Sequence, residues 1–304
     1  MKQPQTIMRF GHLSVPVTHP DKIYWPGEGI TKAMVVNYYQ SIAPYLLPFM
    51  KNRPQSLLRN PNGIRDRGFY HKDAGEDAPD WIKTFPVPSE SSHKIIDYII
   101  CNNRATLTYL NNLGCIELNP WHSTITKPDH PDYMIIDLDP SRKNHFDEVV
   151  EVAHAYRDLL AGAGVDCFCK TSGASGLHIY VPLGKKYEYE AVRSFAHDIS
   201  IQINSLLPGL TTLERSLSKR GKKIYLDYLQ NSKGQTIAGV FCLRPRPGAP
   251  VSMPVTWKEL KPGFDPASFT MHNALPKVRR MAPVFAGIFG KGTDLQKLRR
   301  QLSI

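Results

Sequence analysis

Two aspartates stand one residue apart at the end of an apolar run, Tyr133-Met134-Ile135-Ile136-Asp137-Leu138-Asp139. Such a run predicts a buried strand. In a strand, residues i and i+2 point to the same face. The two carboxylates are therefore expected side by side, where like charges repel and burial is costly without a neutralising partner. A divalent cation is such a partner, and hard cations such as magnesium take oxygen ligands. A second strand-like run, Lys223-Ile224-Tyr225-Leu226-Asp227-Tyr228, delivers a third carboxylate in the same apolar setting. Three acids on neighbouring strands are a framework for metal-assisted phosphoryl chemistry. The Asp139-Pro140 step also reads as a turn, but turn formation leaves the paired acids and their matching third unexplained.

The elements between these acids set their relation. The strand at 133–139 precedes the helical spacing Phe146, Val149, Val150, Val152, Ala153, Tyr156, Leu159, Leu160, which ends at Gly162 and Gly164. Strands are predicted at 165–170 and 177–182, an amphipathic helix from about Tyr189 to Leu206, and the strand of Asp227 closes the unit. The order βαββαβ is the split ferredoxin-like arrangement also used by RNA-recognition folds. There the fourth strand lies beside the first, so topology alone sets Asp227 next to Asp137 and Asp139.

The turn Ser172-Gly173-Ala174-Ser175-Gly176 joins two of these strands and is followed by His178. Its glycines permit positive φ and can expose backbone N–H groups as an anion-binding nest. Ser172 and His178 would add donors, and beside three acids the turn reads as a triphosphate cradle. No Gly-Lys-Ser/Thr follows, so it is not a Walker A loop. Arg215, Lys219, Arg220, Lys222 and Lys223 precede Asp227. Arg244 ends the run Ala238-Gly239-Val240-Phe241-Cys242-Leu243, predicted as a strand, and suits bidentate phosphate contact. The cluster Arg65-Asp66-Arg67-Gly68-Phe69-Tyr70-His71-Lys72 interleaves aromatics with cations, a pattern suited to stacking on bases.

The flanks are less periodic. Thr31 is expected to cap a helix running to Met50, with Pro44 and Pro48 bending or breaking its second half. A loop-rich stretch is expected from Arg53 to Ser92, a helix over 93–112, and short helices such as Asp294 to Leu302 after residue 250. The chain has 304 residues, 41% hydrophobic and 21% charged, the balance of a soluble globular protein. Its net charge of +11 points to a polyanionic partner. The opening Met1-Lys2-Gln3-Pro4-Gln5-Thr6 has no apolar core of a secretory signal, and no apolar run reaches membrane length. Five cysteines without a Cys-x-x-Cys pair are expected to be reduced core residues of a cytosolic protein, and Cys101, Cys115, His93 and His122 fit no zinc spacing.

Ile136-Asp137-Leu138-Asp139-Pro140, Lys170-Thr171-Ser172-Gly173 with Gly176-Leu177-His178, and Leu226-Asp227-Tyr228 resemble the three motifs of archaeo-eukaryotic primases. The chain as a whole resembles more closely the polymerase domain of bacterial ligase D, an end-joining repair enzyme. The supporting segments are Asp21-Lys22-Ile23-Tyr24-Trp25-Pro26, Pro61-Asn62-Gly63, Ala78-Pro79-Asp80-Trp81 and Thr256-Trp257-Lys258-Glu259-Leu260. The resemblance implies an α+β, primase-like two-lobed fold with a βαββαβ catalytic lobe. Within one catalytic domain over 1–304, an N-terminal lobe is expected over about 1–130, the catalytic lobe over about 131–250 and a C-terminal extension over about 251–304.

It further implies that Asp137, Asp139 and Asp227 hold two manganese or magnesium ions. Ser172, His178, Arg220, Gln230 and Arg244 would bind the incoming ribo- or deoxynucleoside triphosphate, with Phe69 or Tyr70 stacking near its base. Lys22 and Lys32 would grip the 5′-phosphate of gapped or broken DNA. Asn119 stands where the family often has His, and His19 where it often has Asn. No Lys-x-Asp-Gly ligase motif is present, so nick sealing is not expected of this chain. End-binding Ku and ligase or phosphoesterase domains are the implied partners, no membrane is, and the implied location is the bacterial cytoplasm at the nucleoid. Two other functions suit the same residues: a non-catalytic nucleic-acid-binding module of the RNA-recognition type, and a two-metal nuclease.

Overall fold

The computed structural model describes residues 5–89 and 93–304. Residues 1–4 of the opening segment and 90–92 of the expected loop-rich stretch lie outside it. The chain divides into two compact units. One runs to Trp121 and takes in Ile237–Ser252 and Phe269–Arg279; the other holds His122–Thr236, Met253–Ser268 and Arg280–Ile304.

The first unit contains β1 (Gln5–Phe10), β2 (Leu13–Thr18), β3 (Ile23–Trp25), β4 (Ile30–Thr31), α1 (Lys32–Met50), β5 (Gln55–Arg59), β6 (Phe69–His71), β7 (Thr84–Ser89), β8 (Lys94–Ile99), α2 (Arg104–Asn112) and β9 (Cys115–Pro120). A sheet of order β6-β5-β9 and the hairpins β1-β2, β3-β4 and β7-β8 are its β structure. Three expectations are made more specific or corrected here. The loop-rich stretch from Arg53 also holds three short strands, β5, β6 and β7. The helix expected over 93–112 is a strand followed by a shorter helix. Pro86 and Pro88 obscure β7, yet both are tolerated because its sheet has only two strands and both are edges. Its partner β8 is rich in Ile and Tyr, which favour strands. Finally, α1 continues through Pro44 and Pro48. Pro44 has no N–H to offer the Gln40 carbonyl, which lies 3.4 Å from an Arg104 guanidinium nitrogen.

A fourth correction concerns 238–243, which forms no regular strand. The segment is buried, Phe241 has φ 63°, and the Phe241 N–H donates to the Ser252 carbonyl. Its apolar run reflects burial rather than strand pairing, which periodicity alone does not separate.

The second unit is built on β10 (Tyr133–Asp139), α3 (Phe146–Gly162), β11 (Phe168–Thr171), β12 (Leu177–Pro182), α4 (Tyr189–Leu206), β13 (Thr211–Thr212), α5 (Leu217–Arg220) and β14 (Ile224–Asp227). The chain then adds β15 (Pro254–Val255), α6 (Ala274–Phe285) and α7 (Leu295–Leu302). The sheet order is β13-β14-β10-β12-β11-β15. Its central four strands have the expected βαββαβ order, with β14 antiparallel to β10. Met134, Ile136, Leu138, Leu177, Ile179, Val181 and Leu226 alternate along these strands and are wholly buried. The helices α3 and α4 pack on one another as well as on the sheet, and the Tyr156 hydroxyl donates to Ser200 Oγ at 2.8 Å between them.

The β11–β12 turn is held tightly against β10. A Cβ at Gly176 would lie 2.3 Å from the Leu138 carbonyl oxygen. Backbone cannot retreat there without breaking the β10–β12 ladder. Gly176→Ala should therefore lower the unfolding free energy by about 1–3 kcal/mol, as overpacking does, read from urea denaturation. Wild-type stability would show that the turn does not depend on this approach.

Candidate active site

Strand register creates the site. On β14, β10, β12 and β11, the directly paired residues are Asp227 with Asp137, Asp137 with His178, and His178 with Lys170. Directly opposed residues share a face, so these four side chains form one lateral row. Asp139 lies two residues along β10 on the same face and is paired with Tyr225 of β14.

Each carboxylate is turned to a protein partner. Asp139 is half exposed and receives Arg220 NH1 at 2.8 Å. Arg220 is clamped in turn: its guanidinium donates to the Arg215 carbonyl at 2.8 Å and lies 4.0 Å over the Tyr225 ring. Asp227 accepts from the Leu229 N–H at 3.0 Å, from Gln230 Nε2 at 3.1 Å and from the Tyr225 hydroxyl at 3.3 Å. Burial nevertheless raises its pKa, Asp139 adds to the rise, and these hydrogen bonds offset only part of it. Asp137 Oδ1 lies 3.4 Å from His178 Nε2. On the other side of the ring, Lys170 Nζ lies 2.8 Å from His178 Nδ1, and Lys170 is wholly buried.

The donor set suits magnesium or manganese, because both prefer carboxylate oxygens and the three acids share one face. Among the described residues, no group of three His, Cys, Asp or Glu side chains is gathered tightly enough to enclose an ion.

The glycine turn differs in detail from a nest. The Ala174 and Gly176 N–H groups donate to Ser172 Oγ at 3.1 and 3.0 Å, so they face inward. Ser172 therefore organises the turn through two of its amides.

Other candidate residues lie in the first unit. Leu58 of β5 is paired with both Tyr70 of β6 and Glu117 of β9, and Ser56 with Asn119. Tyr70, Glu117 and Asn119 thus share one face of the three-stranded sheet. Glu117 is buried and accepts from Arg244 Nε at 2.6 Å. This ion pair orients the partly exposed Arg244, and loss of Arg244 would strand a buried charge on Glu117. Phe69 is on the opposite face, 5.3 Å beneath the Arg59 guanidinium. Of the two aromatics, Tyr70 is therefore the one on the face of Arg244's partner. Asn119 is itself buried.

His19, Lys22 and Lys32 lie in one corner of the same unit. The Lys32 and Ala33 N–H groups donate to the Lys22 and Pro20 carbonyls, which folds the 19–22 turn onto the start of α1. The first amides of the helix are thereby used, and an anion there would meet side chains instead. Lys32 is buried, and its ammonium donates to the Thr18 carbonyl and to Asn112 Oδ1, both at 2.8 Å. Burial, with the nearby Lys22 adding to it, pushes its pKa down to about 8. Lys22 donates to Asn62 Oδ1 at 2.5 Å, and His19 is exposed with φ 50°.

Lys170, Glu117, Tyr225, Asn62 and Asn112 had no role in the sequence reading. Lys170 and Asn62 stand within the quoted motif segments, but spacing assigns neither a contact; the alternation Glu117-Leu118-Asn119 signals a polar face on a strand.

Asp227→Asn tests the electrostatics of the acids directly. A carboxyl whose pKa is raised by folding destabilises the native state above that pKa, and the penalty vanishes below its ordinary value. The variant should therefore be more stable than wild type at pH 7 without added metal. The gain should shrink as pH falls toward the ordinary carboxylate range. A variant less stable at pH 7 would show that its hydrogen bonds outweigh the burial penalty.

Residues 31–285 match the family model for the LigD primase-polymerase domain. The bifunctional non-homologous end joining protein LigD of Bacillus subtilis is 31% identical over 284 residues, which are 93% of this chain and 45% of that protein. The multifunctional non-homologous end joining protein LigD of Mycolicibacterium smegmatis is 31% identical over 248 residues, 81% of this chain and 32% of that protein. The chain thus spans less than half the length of these curated relatives. Among solved structures, the polymerase domain from Mycobacterium tuberculosis ligase D in complex with DNA superposes with a TM-score of 0.81 at 28% identity. It covers 91% of this chain and 98% of its own.

Proposed function

The chain belongs to the LigD primase-polymerase domain family, and on that premise we infer that it is a DNA-directed nucleotidyltransferase that extends a DNA 3′-hydroxyl opposite a template. Its proposed substrates are ribo- and deoxynucleoside triphosphates, and its proposed sites of action are gaps and double-strand breaks during non-homologous end joining. The observation that carries this reading is the lateral row Asp227–Asp137–His178, with Asp139 on the same face. It sets three carboxylates beside an imidazole able to donate a hydrogen bond to a phosphate. The net charge of +11 accords with a nucleic-acid partner.

In this reading Asp137, Asp139 and Asp227 hold two manganese or magnesium ions. Bound there, they would neutralise charge on the attacking and leaving oxygens of an in-line displacement. The chain's own groups position the reactants. His178, Ser172, Arg220, Gln230, Arg244, Phe69, Tyr70 and Asn119 are the proposed nucleotide ligands. Glu117 holds the Arg244 guanidinium by its Nε edge, and Tyr70 is favoured over Phe69 because it shares a face with Glu117. The protein supplies no nucleophile, because the primer hydroxyl attacks. Ku and ligase or phosphoesterase domains are proposed partners, and chromosomal breaks place the work at the nucleoid. No helix among the described residues is long and apolar enough to cross a membrane.

A gapped duplex incubated with manganese and either ribo- or deoxynucleotides should yield a longer primer. Asp137→Ala should slow addition by at least about 10³-fold, equivalent to some 4 kcal/mol of barrier, while DNA binding persists. A shortened primer would mean a nuclease instead. Binding without any change in primer length would mean a recognition module.

Lys22, Lys32 and His19 are the proposed 5′-phosphate pocket. A phosphate contact of this kind should favour 5′-phosphorylated over 5′-hydroxyl ends by about 1.5–3 kcal/mol at pH 7. In the free protein Lys32 loses its charge as pH rises through about 8, whereas the phosphate stays dianionic. The preference should therefore decline between pH 7 and 9 at fixed ionic strength. A pH-independent preference would exclude Lys32 from the contact.

A further inference from the structure

Lys170 has no part in the function just described. It lies on β11, an interior strand between β12 and β15, and is wholly buried. Burying an ammonium is costly, so packing alone does not explain a lysine at this position. Its Nζ lies 2.8 Å from His178 Nδ1, and His178 Nε2 lies 3.4 Å from Asp137 Oδ1. The three residues belong to a single lateral row fixed by backbone pairing. With Lys170 charged, its ammonium has three donors and no acceptor, so Nδ1 of a neutral His178 accepts and the ring proton sits on Nε2, the nitrogen nearer the carboxylates.

We propose that Lys170 is a positioning residue that locks His178 in its Nε2–H tautomer and fixes the plane of the ring. The imidazole then presents a donor to the edge of the site where Asp137 stands. The opposite tautomer would turn a lone pair toward Asp137, and toward any phosphate oxygen bound beside it. A neutral imidazole can adopt either tautomer, so a partner on the far nitrogen is what decides between them. The proposal rests on the assignment of His178 to the nucleotide only for its kinetic consequence; the tautomer itself is independent of that assignment.

The test begins with the unmodified protein labelled with ¹⁵N-histidine, free of DNA and nucleotide. Long-range ¹H–¹⁵N correlations of His178, identified by their loss in His178→Gln, should show a protonated Nε2 and an unprotonated Nδ1. The Nδ1–H tautomer in the wild-type protein overturns the proposal whatever the variants do. Lys170→Met, which keeps length but removes the donor, should give a mixture of tautomers. It should also raise KM for nucleotide roughly five- to ten-fold, the worth of one hydrogen bond, with DNA affinity unchanged. Lys170→Arg, which keeps a charged donor, should restore the wild-type tautomer and much of the KM. Lys170→Met in a His178→Ala background should add nothing further. A folded Lys170→Met protein with wild-type tautomer and KM overturns the positioning role. If His178→Ala leaves KM unchanged, it is the assignment of His178 to the nucleotide that fails, and the tautomer measurement still decides the role of Lys170.

Discussion

The register of β10 against its two neighbours is the constraint on which the site depends. A slip of one residue on either side would turn every side chain of the slipped strand to the other face. Asp227 would then leave Asp137, or His178 would leave both. The register is enforced by the opposite face, where Ile136, Leu138, Leu177, Ile179 and Leu226 are wholly buried. Any slip would exchange these apolar side chains with those on the face of Asp137 and its partners. Apolar burial thus specifies the positions of the ionisable groups, although none of those groups contributes to that burial.

The row carries a conflict that the surrounding residues contain. Two carboxylates are opposed across β10 and β14, and a third stands two residues away. Arg220 offsets the exposed member, Asp139, through an ion pair in which Asp139 remains half open to solvent; such pairs contribute little to stability. Gln230, Leu229 and Tyr225 hold Asp227 by neutral hydrogen bonds, which do not cancel its burial. His178 and the buried Lys170 continue the row beyond Asp137. A site arranged in this way favours arriving positive charge over the state it has alone, and local conflict of this sort is expected where function is located. In the first unit, the buried Glu117 plays the complementary part by orienting a cation, Arg244.

Much of this was legible in the sequence, because the second unit is periodic. The run ending in Asp137-Leu138-Asp139, the helical spacing of α3 and α4, and the short turn before His178 fix the βαββαβ order. That order fixes the neighbour of β10. What was not legible has physical causes. Lys170 reads as the end of a strand within a motif, and its burial shows only once β12 and β15 are seen on both sides of that strand. The choice between Phe69 and Tyr70 depends on which face of β6 meets Glu117, and sequence spacing cannot give a cross-strand register. Pro86 and Pro88 hid an edge strand, and Pro44 and Pro48 suggested a break in a helix that continues. The run 238–243 is apolar because it is buried, but its backbone, with Phe241 at positive φ, belongs to no sheet.

In the proposed function, three carboxylates aligned by strand register form a metal-dependent nucleotidyl-transfer centre. The most direct measurement is anomalous diffraction from crystals grown with manganese and a non-hydrolysable nucleoside triphosphate. The account predicts manganese peaks bounded by Asp137, Asp139 and Asp227, with Arg220 withdrawn from Asp139 and the triphosphate beside His178. Manganese bound away from these acids, or nucleotide bound while Asp139 still holds Arg220 and no ion lies between Asp137 and Asp227, would contradict it.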